Sequence, residues 1–149
     1  MGKRKLVNSL ILLVVTLSFA ATFSTAAQAQ QPIVNTITAE ELKTMMANNQ
    51  PVTVIDVRSS EGFANSTTTL KGSIHFKLRK LKDRLNFAPL KDLPRNREIV
   101  TYCACPNDES STSAAQILLA AGFTRVRVLK GGWNEWQRVK GPVQPRKTS

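Results

Sequence analysis

The chain has 149 residues, with 21 Lys and Arg against 10 Asp and Glu, a formal charge of +11 and a 42% share of hydrophobic residues. That length excludes a multidomain assembly and leaves one domain large enough for its own core. So basic a balance suits a chain that meets anions, but no aromatic residues are interleaved with the basic ones, and nucleic acid is not an expected partner.

In chain order, Lys3-Arg4-Lys5 precede a nearly uninterrupted apolar run, LVNSLILLVVTLSFAATF, and small residues follow as far as Ala27-Gln28-Ala29. A basic start, an apolar middle and an A-x-A close form the layout of a secretory signal peptide. The rival reading is an uncleaved membrane anchor, since the run approaches the roughly 18 to 20 residues that span a bilayer. The A-x-A close favours cleavage. Residues 1–29 are therefore set aside as a signal peptide, and an exported, periplasmic protein is expected, with membrane attachment only if this segment is retained. The mature chain, Gln30 to Ser149, has 120 residues and a charge of +8, because the three charged residues removed are all basic.

Residues 30–37 are polar and read as a loose N-terminal segment. TITAEELKTMMANNQP reads as a helix: Thr38 caps it, Glu41 completes a capping box, and Leu42, Met45 and Met46 share one face. VTVIDV (52–57) is a continuously apolar strand until Asp56, as in a sheet covered on both faces, and RSSEGFANS forms a short helical turn at its end. STTTLKGSIHF reads as a loop leading to a short strand around Ile74. KLRKLKDRLNF puts Leu78, Leu81 and Leu85 at helical spacing, with Lys77, Arg79, Lys80, Lys82 and Arg84 on a solvated basic face.

KDLPRNR is a polar connection, and EIVTYC is a second buried strand ending at Cys103. STSAAQILLAAGF is a helix with Ser110 or Ser111 as its cap and Gly122 as its stop. TRVRVLKGG is a third strand with Val126, Val128 and Leu129 at its core. WNEWQRVKG is a last helix, in which Trp133, following the Gly131-Gly132 turn, packs against the sheet. PVQPRKTS trails off. Helices alternating with short apolar strands predict an α/β fold, a parallel sheet layered by helices in a single domain over residues 38–144, with residues 145–149 as a tail.

Both cysteines of the chain lie in one stretch, YCACPNDESSTSAA (102–115). A bond between Cys103 and Cys105 closes almost no chain, so it stabilises little by restricting the unfolded state, and a structural staple is a poor explanation. A nucleophilic thiolate, a redox pair and a pair of metal ligands remain. In open α/β sheets ligands gather at the carboxyl ends of strands, beside helix N-termini. Cys103 ends a buried strand and a helix follows, an arrangement that favours the reactive thiolate.

Four stretches, VIDVRSSEGF, GSIHFKL, IVTYC and AAQILLAAGFTRVRVLKGGWNEW, resemble in their order and spacing the rhodanese family of sulfurtransferases, over roughly residues 38–144. The resemblance implies a small parallel sheet flanked by helices and a sulfane sulfur carried as a persulfide on Cys103. It also implies an anion cradle from the main chain of Ala104, Cys105, Pro106, Asn107, Asp108 and Glu109. Asp56 and Arg58 match the family's Asp-x-Arg and are assigned, with Trp133, a structural role. Neither a metal nor an organic cofactor is implied. The implied partners of a monomeric carrier are a small sulfur donor or a persulfide or thiol on another protein.

The loop departs from the family pattern. An arginine and then a serine or threonine usually follow the cysteine by five and six residues; from Cys103 those places hold Asp108 and Glu109, and from Cys105 they hold Ser110 and Ser111. Either the loop is longer than usual or Cys105 is the carrier; the strand ending IVTYC favours Cys103. The loop also resembles a bacterial rhodanese-like subgroup with Cys-x-Cys-Pro-Asn. Acids facing the pocket would repel thiosulfate: two unit charges about 4 Å apart at an effective dielectric near 20 interact by roughly 4 kcal/mol.

Two alternatives stay open at this point. Cys105 can act as a resolving thiol in a thiol–disulfide reaction, or the module can bind a soft metal or a partner without catalysis. His75, Met45 and Met46 are the other soft ligands of the mature chain, too few for an evident site, and His75 reads as a surface or packed residue.

The signal-peptide reading has a direct test. N-terminal sequencing of the exported protein should begin at Gln30; a membrane-bound product that keeps Lys3-Arg4-Lys5 would establish the anchor instead.

Overall fold

The structure is a computed structural model that describes residues 32–147. The expected signal peptide lies outside these residues; among them, no helix is long and apolar enough to cross a membrane. The chain runs β1 (Asn35–Ile37), α1 (Ala39–Ala47), β2 (Val52–Asp56), α2 (Ser60–Ala64), β3 (Thr68–Leu70), β4 (Ile74–His75), α3 (Leu81–Arg84), β5 (Glu98–Tyr102), α4 (Glu109–Ala120), β6 (Arg125–Leu129), α5 (Gly132–Arg138) and β7 (Val143–Pro145). Five strands form one sheet in the order β1-β6-β5-β2-β4, with every pairing parallel. The parallel α/β architecture expected from the sequence is therefore present.

Central position explains the composition of β5. All five of its residues are buried, as in a strand covered on both faces. Ile99 joins Ile55, Val57, Ala114, Ala115, Leu118 and Val126 on the face covered by α4. Val100 and Tyr102 point the other way, into a cluster with Leu42, Leu129, Trp133 and Trp136 under α1 and α5. Cys103, the next residue along, returns to the α4 face.

Several short elements differ from the expectation. Residues 35–37 are not loose but pair with β6, Asn35 opposite Arg127 and Ile37 opposite Leu129. Residues 143–145 form an antiparallel ribbon with β3, Thr68 opposite Pro145 and Leu70 opposite Val143. Such three-residue strands are held by main-chain pairing and carry little hydrophobic periodicity to announce them. The basic segment yields a 3-10 turn at Leu78–Lys80 and then only the single turn of α3. Its leucines still serve the core, with Leu81 fully buried and Leu78 and Leu85 packed against it.

Thr38 caps α1 as expected, its hydroxyl accepting from Glu41 N at 3.1 Å. The Glu41 carboxylate turns instead to Arg127 Nη1 at 2.7 Å, so half of the capping box forms. Gly122, at φ +91°, follows the end of α4. The start of α4 is a correction: the N-cap residue is Asp108, left-handed at φ 54°, and not Ser110 or Ser111.

At the carboxyl edge of the sheet the fold buries an ion pair. Asp56 is 0% and Arg58 2% exposed. The Arg58 guanidinium grips the Asp56 carboxylate through Nε at 3.0 and 3.1 Å and Nη2 at 2.8 Å, and the main-chain N of Arg58 donates to Oδ1 at 3.0 Å. Tyr102 donates its phenol proton to Asp56 Oδ2 at 2.7 Å. Burial, with the negative charge of Asp56 beside it, pushes the Tyr102 phenol far above the ordinary tyrosine range, so it remains a donor. Arg58 also reaches Thr68 O at 3.3 Å and lies over the Trp133 ring, 4.5 Å from its centroid. Asp56, Arg58 and Trp133, expected as structural residues, are thus in contact through Arg58.

Two substitutions test the packing. Asp56→Ala leaves a buried guanidinium without its counter-charge and should cost about 3 to 5 kcal/mol, whereas Tyr102→Phe removes one charged hydrogen bond and should cost about 1.5 to 3 kcal/mol. Urea titrations that rank Tyr102→Phe below Asp56→Ala in stability would contradict this. Trp133 is 6% exposed, and Trp133→Ala should cost about 3 to 5 kcal/mol; a denaturation midpoint equal to the parent's would show that the ring is not packed as described.

Candidate functional site

Cys103 leaves β5 at the carboxyl end of the sheet and is 1% exposed. Its sulfur accepts from the main-chain N–H of Cys105 and faces the hydroxyl of Ser111, both at 3.5 Å. Ser111 is fully buried in the first turns of α4, and its hydroxyl also lies 2.9 Å from Asp108 O, so one proton serves two acceptors. A turn closed by Asp108 N to Cys105 O at 3.3 Å folds the loop back, and Thr112 N to Asp108 O at 2.8 Å starts the helix.

The six-residue cradle is corrected by this geometry. Pro106 has no N–H to offer, and the N–H of Asp108 is engaged within the turn. Of the residues expected there, Cys105 is the one whose N–H reaches the Cys103 sulfur. Ala104, Pro106, Asn107 and Glu109 are exposed along the outer side of the loop. Ser111, expected as a helix cap and, counted from Cys105, at the family's serine or threonine position, contributes the second donor.

The turn before α5 clamps the loop from behind. Trp133 N donates to Cys103 O at 2.7 Å, and Gly131 N donates to Asp108 Oδ2 at 2.8 Å. A Cβ on Gly132 would overlap the Cys103 carbonyl, and both glycines have positive φ, 74° and 48°. Only glycine lets the helix begin this close to the loop. The Asp108 carboxylate is thus tied to a main-chain donor, while Glu109 stands in the exposed first turn of α4.

Cys103 and Cys105 are joined as a disulfide, with Cα atoms 5.8 Å apart. That separation lies within the ordinary disulfide range, so adjacency does not prevent the bond. Because it closes so short a ring, it adds little to stability, and its significance is chemical.

The other candidates are occupied elsewhere. His75 Nε2 lies 3.2 Å from Arg58 O and its ring stacks on Phe63 at 3.8 Å, which makes it a packed residue. Met45 Sδ accepts from Arg127 Nη2 at 3.3 Å. Among the described residues, no group of three or more His, Cys, Asp or Glu could hold a metal ion. A groove of about 480 Å³ at the end of β4 is lined by Phe63, Thr69, Ser73, Ile74, His75, Gln144 and Lys147, and Cys103 is not part of it.

This arrangement has relatives. A sulfurtransferase of Allochromatium vinosum is 25% identical over 111 residues, covering 74% of this chain and 95% of its own length. Uncharacterized protein YqhL of Bacillus subtilis is 29% identical over 129 residues, covering 87% of this chain and 93% of its own. The crystal structure of the Alr3790 protein from Anabaena is similar with a TM-score of 0.62 at 28% identity, over 73% of this chain and 81% of that one. Residues 38–139 match the family described as the rhodanese-like domain. With the parallel sheet, the cysteine at the end of its central strand and the helix that follows, the chain belongs to the rhodanese-like domain family.

Proposed function

We propose that the protein is a sulfurtransferase that carries a sulfane sulfur as a persulfide on Cys103. The observation that carries this reading is the position of the Cys103 sulfur, at the end of the buried β5 and within 3.5 Å of both the Cys105 N–H and the Ser111 hydroxyl. Donors so placed stabilise an anionic sulfur. In the reduced protein, the Cys103 thiolate attacks the outer sulfur of a donor R–S–S⁻. The S–S bond of the donor breaks, R–S⁻ leaves with the electron pair, and Cys103–S–S⁻ remains. A thiolate acceptor then takes the outer sulfur and regenerates the Cys103 thiolate.

The donor best suited to this loop is a persulfide on a partner, and the acceptor is a thiol. From Cys103 to Ser111 the sequence holds two acids and no Lys or Arg. Asp108 is bound to Gly131 N, so it does not project freely into the site, but neither it nor Glu109 supplies the cation that a thiosulfate dianion requires. Export to the periplasm, on the strength of the A-x-A close before Gln30, would place donor and acceptor there.

Intact-mass spectrometry under anaerobic conditions tests the reading. Reduced protein treated with polysulfide should gain about 32 Da, one sulfur atom on a cysteine. Cys103→Ser should lose the adduct and Cys105→Ser should keep it. An adduct at parental level in Cys103→Ser would refute Cys103 as the carrier.

A further inference from the structure

We propose that Cys105 makes the site reductive as well as transferring: it expels the sulfur held on Cys103 as hydrosulfide, and a dithiol reductant then reopens the resulting disulfide by attacking Cys105. This deepens the function proposed above and rests on Cys103 as the carrier.

The observations are the disulfide and the unequal surroundings of its two sulfurs. The bond joins Cys103 to Cys105 and encloses only Ala104, so restricting the unfolded chain is not its purpose. Cys103 is 1% exposed and packed into the core with Ala114, Ala115 and Leu118. Cys105 is half-buried, between exposed Ala104 and exposed Pro106. In thiol–disulfide exchange, access decides which sulfur is attacked and the departing thiolate must bear the charge. A thiolate arriving from solvent meets the sulfur of Cys105. The departing sulfur is then that of Cys103, whose charge forms where the Cys105 N–H and the Ser111 hydroxyl already point, each at 3.5 Å.

The steps balance. In the loaded protein, the Cys105 thiolate attacks the inner sulfur of Cys103–S–S⁻. The bond to the outer sulfur breaks, that sulfur leaves with the electron pair and takes a proton from water as hydrosulfide, and the Cys103–Cys105 bond forms. The sulfane sulfur has gained two electrons and the two cysteine thiolates have lost them. One thiolate of the dithiol then attacks Cys105, the protein disulfide breaks, and the Cys103 thiolate departs. The second thiolate of the dithiol resolves the mixed disulfide, freeing Cys105, and the reductant leaves as its own disulfide. Each turn thus ends with the carrier thiolate restored. The partner this chemistry requires is a protein or small dithiol that reaches the half-buried sulfur of Cys105, and the product is sulfide.

Two measurements on the full mature chain test the cycle. First, the oxidised parent is treated briefly with glutathione, quenched with iodoacetamide and sequenced by fragmentation of the loop peptide. Glutathione should sit on Cys105 and the alkyl group on Cys103; the reverse placement would overturn the proposed direction of attack. Second, reduced parent and Cys105→Ser are loaded with polysulfide, freed of excess and followed for sulfide release. The parent should release one sulfide per loaded chain as the disulfide returns, while Cys105→Ser keeps its added sulfur. If the parent holds its sulfur as long as Cys105→Ser, the reductive cycle is wrong although Cys103 still carries sulfur. If neither protein gains a sulfur, the carrier reading falls, and the cycle with it.

Discussion

The carboxylate of Asp56 is fully buried, and the position of the loop after β5 depends on its being matched. Removing an ion from water costs several kcal/mol unless counter-charge and hydrogen bonds replace the solvent. Arg58 and Tyr102 supply both. Each also reaches the reactive loop: Tyr102 immediately precedes Cys103, and Arg58 lies over Trp133, whose N–H holds the Cys103 carbonyl at 2.7 Å. The ion pair therefore fixes Cys103 from its own strand and from the opposing turn together.

The loop acquires its character from what surrounds that anchored cysteine. Asp108 adopts a left-handed backbone and one oxygen of its carboxylate accepts from Gly131 N, while the other is buried without a partner. The loop adds no cation to offset that charge. Donors at the sulfur are few and near: one main-chain N–H and one buried hydroxyl. Two donors match a single negative sulfur better than an extended dianion, and the proposal of a partner persulfide rather than thiosulfate rests on that. The second cysteine is close enough to bond with the first, and on the cycle proposed above it is the group that reduces the bound sulfur.

Much of this was legible in the sequence, for identifiable reasons. β5 and β2 announced themselves as mostly apolar runs and β6 as an alternation of Val126 and Val128 with arginines, and Cys103 at the end of IVTYC followed from where that run stopped. Thr38 and Gly122 marked helix ends by local chemistry that needs no tertiary context. The edge strands around Thr36, Thr69 and Gln144 were illegible because pairing partners distant in sequence, not composition, create them. The tie between Asp108 and Gly131 was illegible for a related reason: the two lie 23 residues apart, and nothing in CPNDESS reveals that contact. Counting Pro106 among the cradle donors overlooked its missing N–H, and the approach of Ser111 to the Cys103 sulfur was not foreseen because it depends on how the loop folds back.

The central claim is that the Cys103 sulfur, in the company of Ser111 and the residue 105 amide, is where sulfur is held. The most direct measurement is a high-resolution crystal structure of Cys105→Ser after anaerobic treatment with polysulfide. The expected result is one additional sulfur atom bonded to Cys103 Sγ, with Ser111 Oγ and the residue 105 N–H still within hydrogen-bond reach of the sulfur pair. A loaded protein, by mass, whose crystals show Cys103 unmodified, or its sulfur turned away from Ser111 and the residue 105 amide, would contradict it.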